Sequence, residues 1–181
     1  IEQLMSLRLI PNVDVIRPSN SIEIEHSYRY AFSNSKNPKV LALSRQDLNY
    51  LDFNVSYEEF TKGGYVVSDG DDFTIVASGS ELEIAFKIKE ALLEYSVRIV
   101  SVPILNKLSN MKNVEIKDLL KNKHVFPIEF GRSIGWDNYL GRTTKIFSVD
   151  RFGESAPIED LEEEFGFDIS SITKEIIKYL N

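Results

Sequence analysis

The sequence predicts an α/β protein in two unequal parts. Residues 1–55 form a βαβ unit belonging to a second α/β domain. Residues 56–181 form a three-layered domain around a mixed, mostly parallel sheet of about five strands. Three observations carry this. Short apolar runs alternate with helix-period segments along the whole chain. The run Val40-Leu41-Ala42-Leu43 is wholly apolar, as a strand covered on both faces of a parallel sheet has to be. Between the two parts, Asp47 to Ser56 has mixed polarity and no period, which reads as a linker.

Val13 to Ile16 is a short, mostly apolar strand closed by Arg17-Pro18. Asn20 with Glu23 three residues later has the form of a helix cap, and Ile24, Tyr28 and Ala31 then share the face expected to turn inward. Pro38 punctuates before the second strand, Val40 to Ser44. Beyond the linker, Gly63 to Val67 and Phe73 to Ala77 read as strands around the turn Asp69-Gly70-Asp71-Asp72. That turn is too short for a crossover, so the two strands are expected to pair antiparallel. Ser80-Glu81-Leu82-Glu83 has capping-box form and opens a helix with Ile84, Ile88, Ala91 and Tyr95 on its apolar face. Val97 to Val102 is a strand ended by Pro103, and Asn106 to Lys123 reads as short helices. His124 to Ile128 and Lys145 to Val149 are further strands. Leu161 to Phe165 suggests a short helix, and Ile169, Ile172, Ile176 and Leu180 mark the inner face of a final one.

The 181 residues include no cysteine, which excludes disulfides, thiolate zinc sites and cysteine nucleophiles. His26 and His124 are the only imidazoles and lie far apart, so each reads as an ordinary packed or surface histidine rather than a metal ligand. No EF-hand-like loop is present, and no metal residue is assigned. No apolar run approaches the ~18 residues of a membrane helix. The chain opens on Ile1-Glu2-Gln3 without an initiator Met or a signal pattern, which suggests a fragment, and the missing cysteines accord with a cytoplasmic origin. The net charge of −7 is uneven: six basic and six acidic residues up to Val55, then 15 and 22. An acidic second part without basic clusters argues against nucleic acid and anionic membranes as partners.

Arg45 is the foremost candidate for chemistry. It stands at the carboxyl end of the predicted parallel strand, the edge where open α/β sheets gather ligands. Its planar fork suits a phosphate or carboxylate. The alternative is an arginine paired with Asp47 or Asp52 at the domain boundary. Ser78-Gly79-Ser80-Glu81 joins a strand to a helix and offers amides to an anion, but its own cap and Glu81 explain it without one. In Gly153-Glu154-Ser155-Ala156-Pro157, Ser155 as cap and Pro157 in the first turn suffice, and the glycine that would complete G-x-S-x-G is missing. Gly135 to Gly141, with the single Trp136, is a packing or interface patch. Glu159 to Glu164 is a solvated helix face.

Seven segments, in order, resemble transketolase and span essentially the whole chain. "IEQLMSLRLIPNVDVIRPSN" is similar to the end of its pyrimidine-binding domain and "ALSRQDL" to a characteristic stretch after it. "KGGYVVSD", "IVASGSELEIA", "VRIVSVP", "IEFGRSIGWDNYLG" and "DRFGESAPIEDLEEEFGF" resemble its C-terminal domain. The stretch Ile104 to Met111 lacks the expected Phe-x-x-Gln pattern, and Gly131-Arg132-Ser133 departs in detail, which leaves the subfamily open.

The resemblance implies a homodimeric enzyme that moves a two-carbon ketol unit from a ketose phosphate to an aldose phosphate, using thiamine diphosphate and a divalent metal such as magnesium. It implies that the cofactor site and the activating glutamate lie upstream, so that this chain carries no catalytic or cofactor residue and is inactive alone. Arg45, within Ser44-Arg45-Gln46, matches the arginine that grips the substrate phosphate. Dihydroxyacetone synthase shares the architecture, and a non-catalytic module with a binding or dimer-supporting role is the reading from a different class.

Overall fold

The computed structural model describes residues 1–33 and 36–181. After helix α1 (Gln3–Arg8), strand β1 (Asp14–Ile16), helix α2 (Ser21–Ala31) and strand β2 (Lys39–Leu41) form the βαβ unit, with β1 and β2 parallel and Ile16 opposite Leu41. Asn20 caps α2 by accepting from the Glu23 N–H at 2.9 Å, as its spacing predicts. The predicted second strand shortens to β2, and its residues are half-buried, because β1 is its only neighbour in a two-stranded sheet.

The face of α2 is reversed. Glu23, His26, Ser27 and Tyr30 are buried, while Ile24 and Tyr28 are exposed. The reason lies in the partners. The Glu23 carboxylate accepts from Ser19 N–H (2.6 Å), Ser19 Oγ (2.8 Å), Tyr65 Oη (2.5 Å) and Ser101 Oγ (2.6 Å). Tyr30 Oη donates to Asp14 at 2.6 Å. A carboxylate with four donors can be buried where an unpaired one cannot. His26 sits among Val55, Tyr57 and Phe60, with Nε2 at 2.9 Å from the Val55 carbonyl.

Helix α3 (Tyr57–Thr61) leads into a four-stranded sheet of β3 (Tyr65–Ser68), β4 (Phe73–Ala77), β5 (Val97–Ser101) and β6 (His124–Ile128), ordered β3-β5-β4-β6. β4, β5 and β6 run parallel, and β3 is antiparallel to β5. The expected β3–β4 pairing therefore does not form, since β5 lies between them. Residues 69–72 cross the start of β5, and a Cβ at Gly70 would fall 2.3 Å from the Val97 carbonyl carbon. Two strand spacings are about 10 Å, which four extended residues can reach. The fifth strand expected at Lys145 to Val149 shrinks to one parallel bridge, Phe147 to Ile128. The Phe147 N–H donates to the Pro127 carbonyl at 2.8 Å, and the Phe147 carbonyl accepts from the Glu129 N–H at 3.0 Å. Pro127 has no N–H to give to Lys145, so the ladder does not extend back along the segment.

Alternation along the strands sorts the core into three layers. On one face Phe73, Ile75, Ile99 and Phe126 pack under α4 (Glu81–Ala91) and α8 (Ile169–Leu180), which contribute Ile84, Ile88, Ile172 and Ile176. On the other, Val76, Val100 and Val125 meet a 3-10 turn (Leu105–Asn110), α5 (Asn113–Leu119) and α6 (Trp136–Leu140). Ala91 of the predicted α4 face is exposed and Tyr95 lies past the helix end. The Ser80 capping box does not form. Ser80 Oγ donates to Glu81 instead, and Glu83 turns to Asn49 and Lys87. α7 (Ile158–Glu164) begins after Pro157, so Ser155 lies outside its cap. No helix among the described residues is long and apolar enough to cross a membrane.

Candidate substrate-anion site

The carboxyl ends of β1 and β2 open onto one edge. From β1 the chain continues through Arg17-Pro18-Ser19-Asn20 into α2, and from β2 through Ala42-Leu43-Ser44-Arg45-Gln46. Ala42 N–H donates to Ile16 O at 2.9 Å, which ties the second loop to the end of the first strand. Ser44 Oγ accepts from the Gln46 N–H (3.2 Å) and donates to the Gln46 carbonyl (2.9 Å). This closes a tight turn with Arg45 at its apex, the kind of local bond serine makes where regular pairing stops.

Arg45 is exposed, and among the described residues it has no hydrogen-bond or ion-pair partner. The pairing with Asp47 or Asp52 is not made; Asp52 accepts from Tyr50 Oη at 3.3 Å instead. The two residues that flank Arg45 line clefts. One of about 410 Å³ runs under Ser44 and Gln46 past Ser19, Ser21, Ile24 and Tyr50. A second, of about 430 Å³, lies between Gln46-Asp47 and the start of α4. A guanidinium standing free at such an edge has all its donors available to an oxyanion.

The second predicted anion candidate is closed from within. The Glu81 carboxylate turns inward, where Arg17 donates to it at 2.9 and 3.2 Å and the Phe130 N–H at 2.7 Å. Gly153 to Pro157 is an irregular loop, and the α7 carboxylates are mostly exposed, with Glu164 paired to Arg151. Among the described residues no group of three or more His, Cys, Asp or Glu is placed to hold a metal ion. His124 is half-buried, stacked on Phe126 at 6.4 Å, and burial together with Lys123 lowers its pKa.

Beside this edge lies a buried ion network that the sequence reading did not find. Glu129 follows β6 directly and is 1% exposed. Arg8 donates to both its oxygens at 2.7 and 2.8 Å, Arg17 at 2.9 Å, and Trp136 Nε1 at 3.0 Å. Arg17 also donates to Ser78 Oγ at 3.1 Å. Burial alone would raise the Glu129 carboxyl, but the Arg8 charge and hydrogen bonds, with Arg17 and Trp136, outweigh it and hold it at about 2. Burial opposes the charge of Arg17 as well, and the Glu81 and Glu129 carboxylates overcome it, so its pKa lies above the ordinary value. One signal was available: arginine and glutamate each stand immediately after a buried strand, where an unpaired charge would not survive.

A βαβ edge bearing an open guanidinium is thus joined by buried ion pairs to a mixed-sheet α/β domain. Comparison with known proteins gives the family. Residues 63–168 match the family described as Transketolase-like TK C-terminal domain, and residues 1–50 that described as Transketolase, pyrimidine binding domain. The transketolase of Halalkalibacterium halodurans is 36% identical over 182 residues, covering 95% of this chain and 27% of the relative. The structure of transketolase from Leishmania mexicana superposes with a TM-score of 0.87 at 32% identity, over 97% of this chain and 26% of that one. Transketolase from Pichia stipitis, solved in complex with sedoheptulose-7-phosphate, gives a TM-score of 0.89 at 28% identity, over 99% of this chain and 27% of its own. The chain belongs to the transketolase family. It spans about a quarter of the length of these relatives.

Proposed function

We propose that this chain is the carboxyl-terminal part of a transketolase that transfers a two-carbon ketol unit from a ketose phosphate to an aldose phosphate. Residues 1–55 are the end of its pyrimidine-binding domain, residues 56–181 its C-terminal domain, and Arg45 grips the substrate phosphate. The observation that carries the reading is the free Arg45 guanidinium at the apex of the Ser44–Gln46 turn, on the carboxyl edge of β2. Its donors can meet two phosphate oxygens in parallel, and the turn fixes where they start from. The solved complex of the Pichia stipitis relative with a sugar phosphate supports this substrate class.

Thiamine diphosphate, with a divalent metal such as magnesium, would supply the carbanion chemistry when bound. No residue of this chain is assigned to either, and the chain alone is inactive in this reading. What the chain does is hold the far end of the sugar, so that the reacting carbons arrive in register. The outward strip of Ile24 and Tyr28 on α2 accords with a homodimer and with further parts of the enzyme packing over it. A cytoplasmic location belongs to the same reading.

Replacing Arg45 with Ala in the full-length enzyme tests the assignment. A charge-assisted contact contributes roughly 1.5–3 kcal/mol, or about 10- to 150-fold in binding. The loss is expected in KM for phosphorylated sugars if the phosphate is held equally in ground and transition states. Sugars without phosphate should lose little. Equal losses on both classes would remove Arg45 from the site.

A further inference from the structure

We propose that Arg17, though it touches no substrate, is a positioning residue for the phosphate grip, and that the C-terminal unit acts on the substrate through it. The proposal rests on the reading of Arg45 as the phosphate ligand. Arg17 is the first residue beyond β1, and its backbone N–H, its carbonyl and both terminal guanidinium nitrogens are taken by the second unit. Its N–H donates to Pro103 O at 2.8 Å and its carbonyl accepts from Gly79 N–H at 3.1 Å. Its guanidinium reaches Ser78, Glu81 and Glu129.

The loop that bears Arg45 is tied to the second unit only further on, where Asn49 Nδ2 donates to Glu83 at 2.7 Å, among the described residues. Ser44 and Gln46 bond each other, and Ala42 hangs from Ile16, the residue before Arg17. Loop and Arg17 line one small cavity of about 160 Å³ together, with Ala42, Ser44, Gly79 and Ser80 among its other walls. A Cβ on Gly79 would already lie 3.3 Å from the Arg17 guanidinium carbon, so the guanidinium is packed as well as bonded. The fixed wall of the cavity that the Arg45 turn faces is therefore the buried Arg17 side chain. A planar fork holding three acceptors at once sets that wall to within a fraction of an ångström, which the single point charge of a lysine cannot do.

The test uses the full-length enzyme and one readout, the ratio of kcat/KM for a phosphorylated ketose donor to kcat/KM for the same ketose without phosphate. Arg17→Lys keeps the charge among Glu81 and Glu129 but loses the fork. It should lower the ratio about 3- to 30-fold, in the range that coupling within one network spans, through KM of the phosphorylated donor. In an Arg45→Ala background it should lower the ratio no further, because the group it positions is gone. Ser78→Ala, which removes one Arg17 bond and leaves both ion pairs, should act in the same direction by about 2-fold and serves if Arg17→Lys does not fold. An unchanged ratio in both variants, or the same fall with and without Arg45, would overturn the proposal while leaving Arg45 in place. If Arg45→Ala itself leaves the ratio unchanged, the phosphate reading fails, and the role of Arg17 fails with it.

Discussion

Glu129→Gln probes how the two units are held together. The change keeps shape and volume but places a neutral amide where two guanidiniums converge, Arg8 on both oxygens and Arg17 on one. One amide edge must then point N–H groups at a guanidinium N–H, and Arg8 is left buried without an anion. The fall of the Glu129 carboxyl from its ordinary 4.5 to about 2 corresponds to about 3 kcal/mol at neutral pH. Breaking a buried pair from one side costs about 3–5 kcal/mol by an independent route, so the two magnitudes agree. Either is a large share of a domain's ~5–15 kcal/mol. The pH dependence follows from the sign. A depressed carboxyl contributes fully above its unfolded value near 4.5 and is lost as pH falls toward 2. About 2 kcal/mol of the contribution should be gone by pH 3. Urea unfolding of the 181-residue chain and its variant should therefore show a gap of about 3–5 kcal/mol at pH 7 that narrows steadily below pH 5. A gap that stays constant between pH 7 and pH 3 would refute the assignment of Glu129 as a charged hub.

Two further outcomes are expected. Calorimetric titration of the 181-residue chain with thiamine diphosphate and magnesium should show no tight binding; micromolar affinity would place the cofactor residues inside this chain. Limited proteolysis should cut first between residues 43 and 50, which are mostly exposed and carry no regular ladder, and before any cut in α4. The later linker is better protected, since Asn20 Nδ2 reaches the Leu51 and Phe53 carbonyls and His26 that of Val55. A first cut within Glu81 to Ala91 would contradict this ordering.

What was legible in the sequence is what local pattern dictates. The strands β4, β5 and β6 announce themselves as apolar runs, α8 by its isoleucine spacing, and the Arg45 edge by a polar triplet after Leu43. What was not legible depends on residues distant in the chain. A turn of four residues gives no sign that β5, still unmade, will enter between β3 and β4. The apolar count on α2 points to Ile24 and Tyr28, yet four donors gathered around Glu23 from Ser19, Tyr65 and Ser101 decide which face is buried. Tyr65 shows the other side of that choice: burial and then the Glu23 charge raise its pKa, so the hydroxyl stays a donor. The ion network joins positions 8, 17, 81 and 129, separations at which neither period nor spacing carries information.

Of the two arginines at this edge, Arg17 is sealed by ion pairs and Arg45 is free among the described residues. Arg8 and Arg17 face Glu81 and Glu129, so the buried network is neutral as a whole, with each carboxylate oxygen turned toward a donor. A neutral, ion-paired cluster leaves little field at the surface, whereas a free guanidinium there attracts any anion within a Debye length of about 8 Å. Sealing Arg17 therefore does two things at once. It satisfies a charge that the seam between the units has buried, and it leaves Arg45 as the guanidinium at this edge with donors to spare. Had Glu81 been absent, Arg17 would compete for the same anion from a position fixed behind the turn, and a phosphate would have two places to settle. The inward carboxylate at the start of α4, which closes that helix end to anions, would thus also leave the site proposed at Arg45 without a rival at this edge.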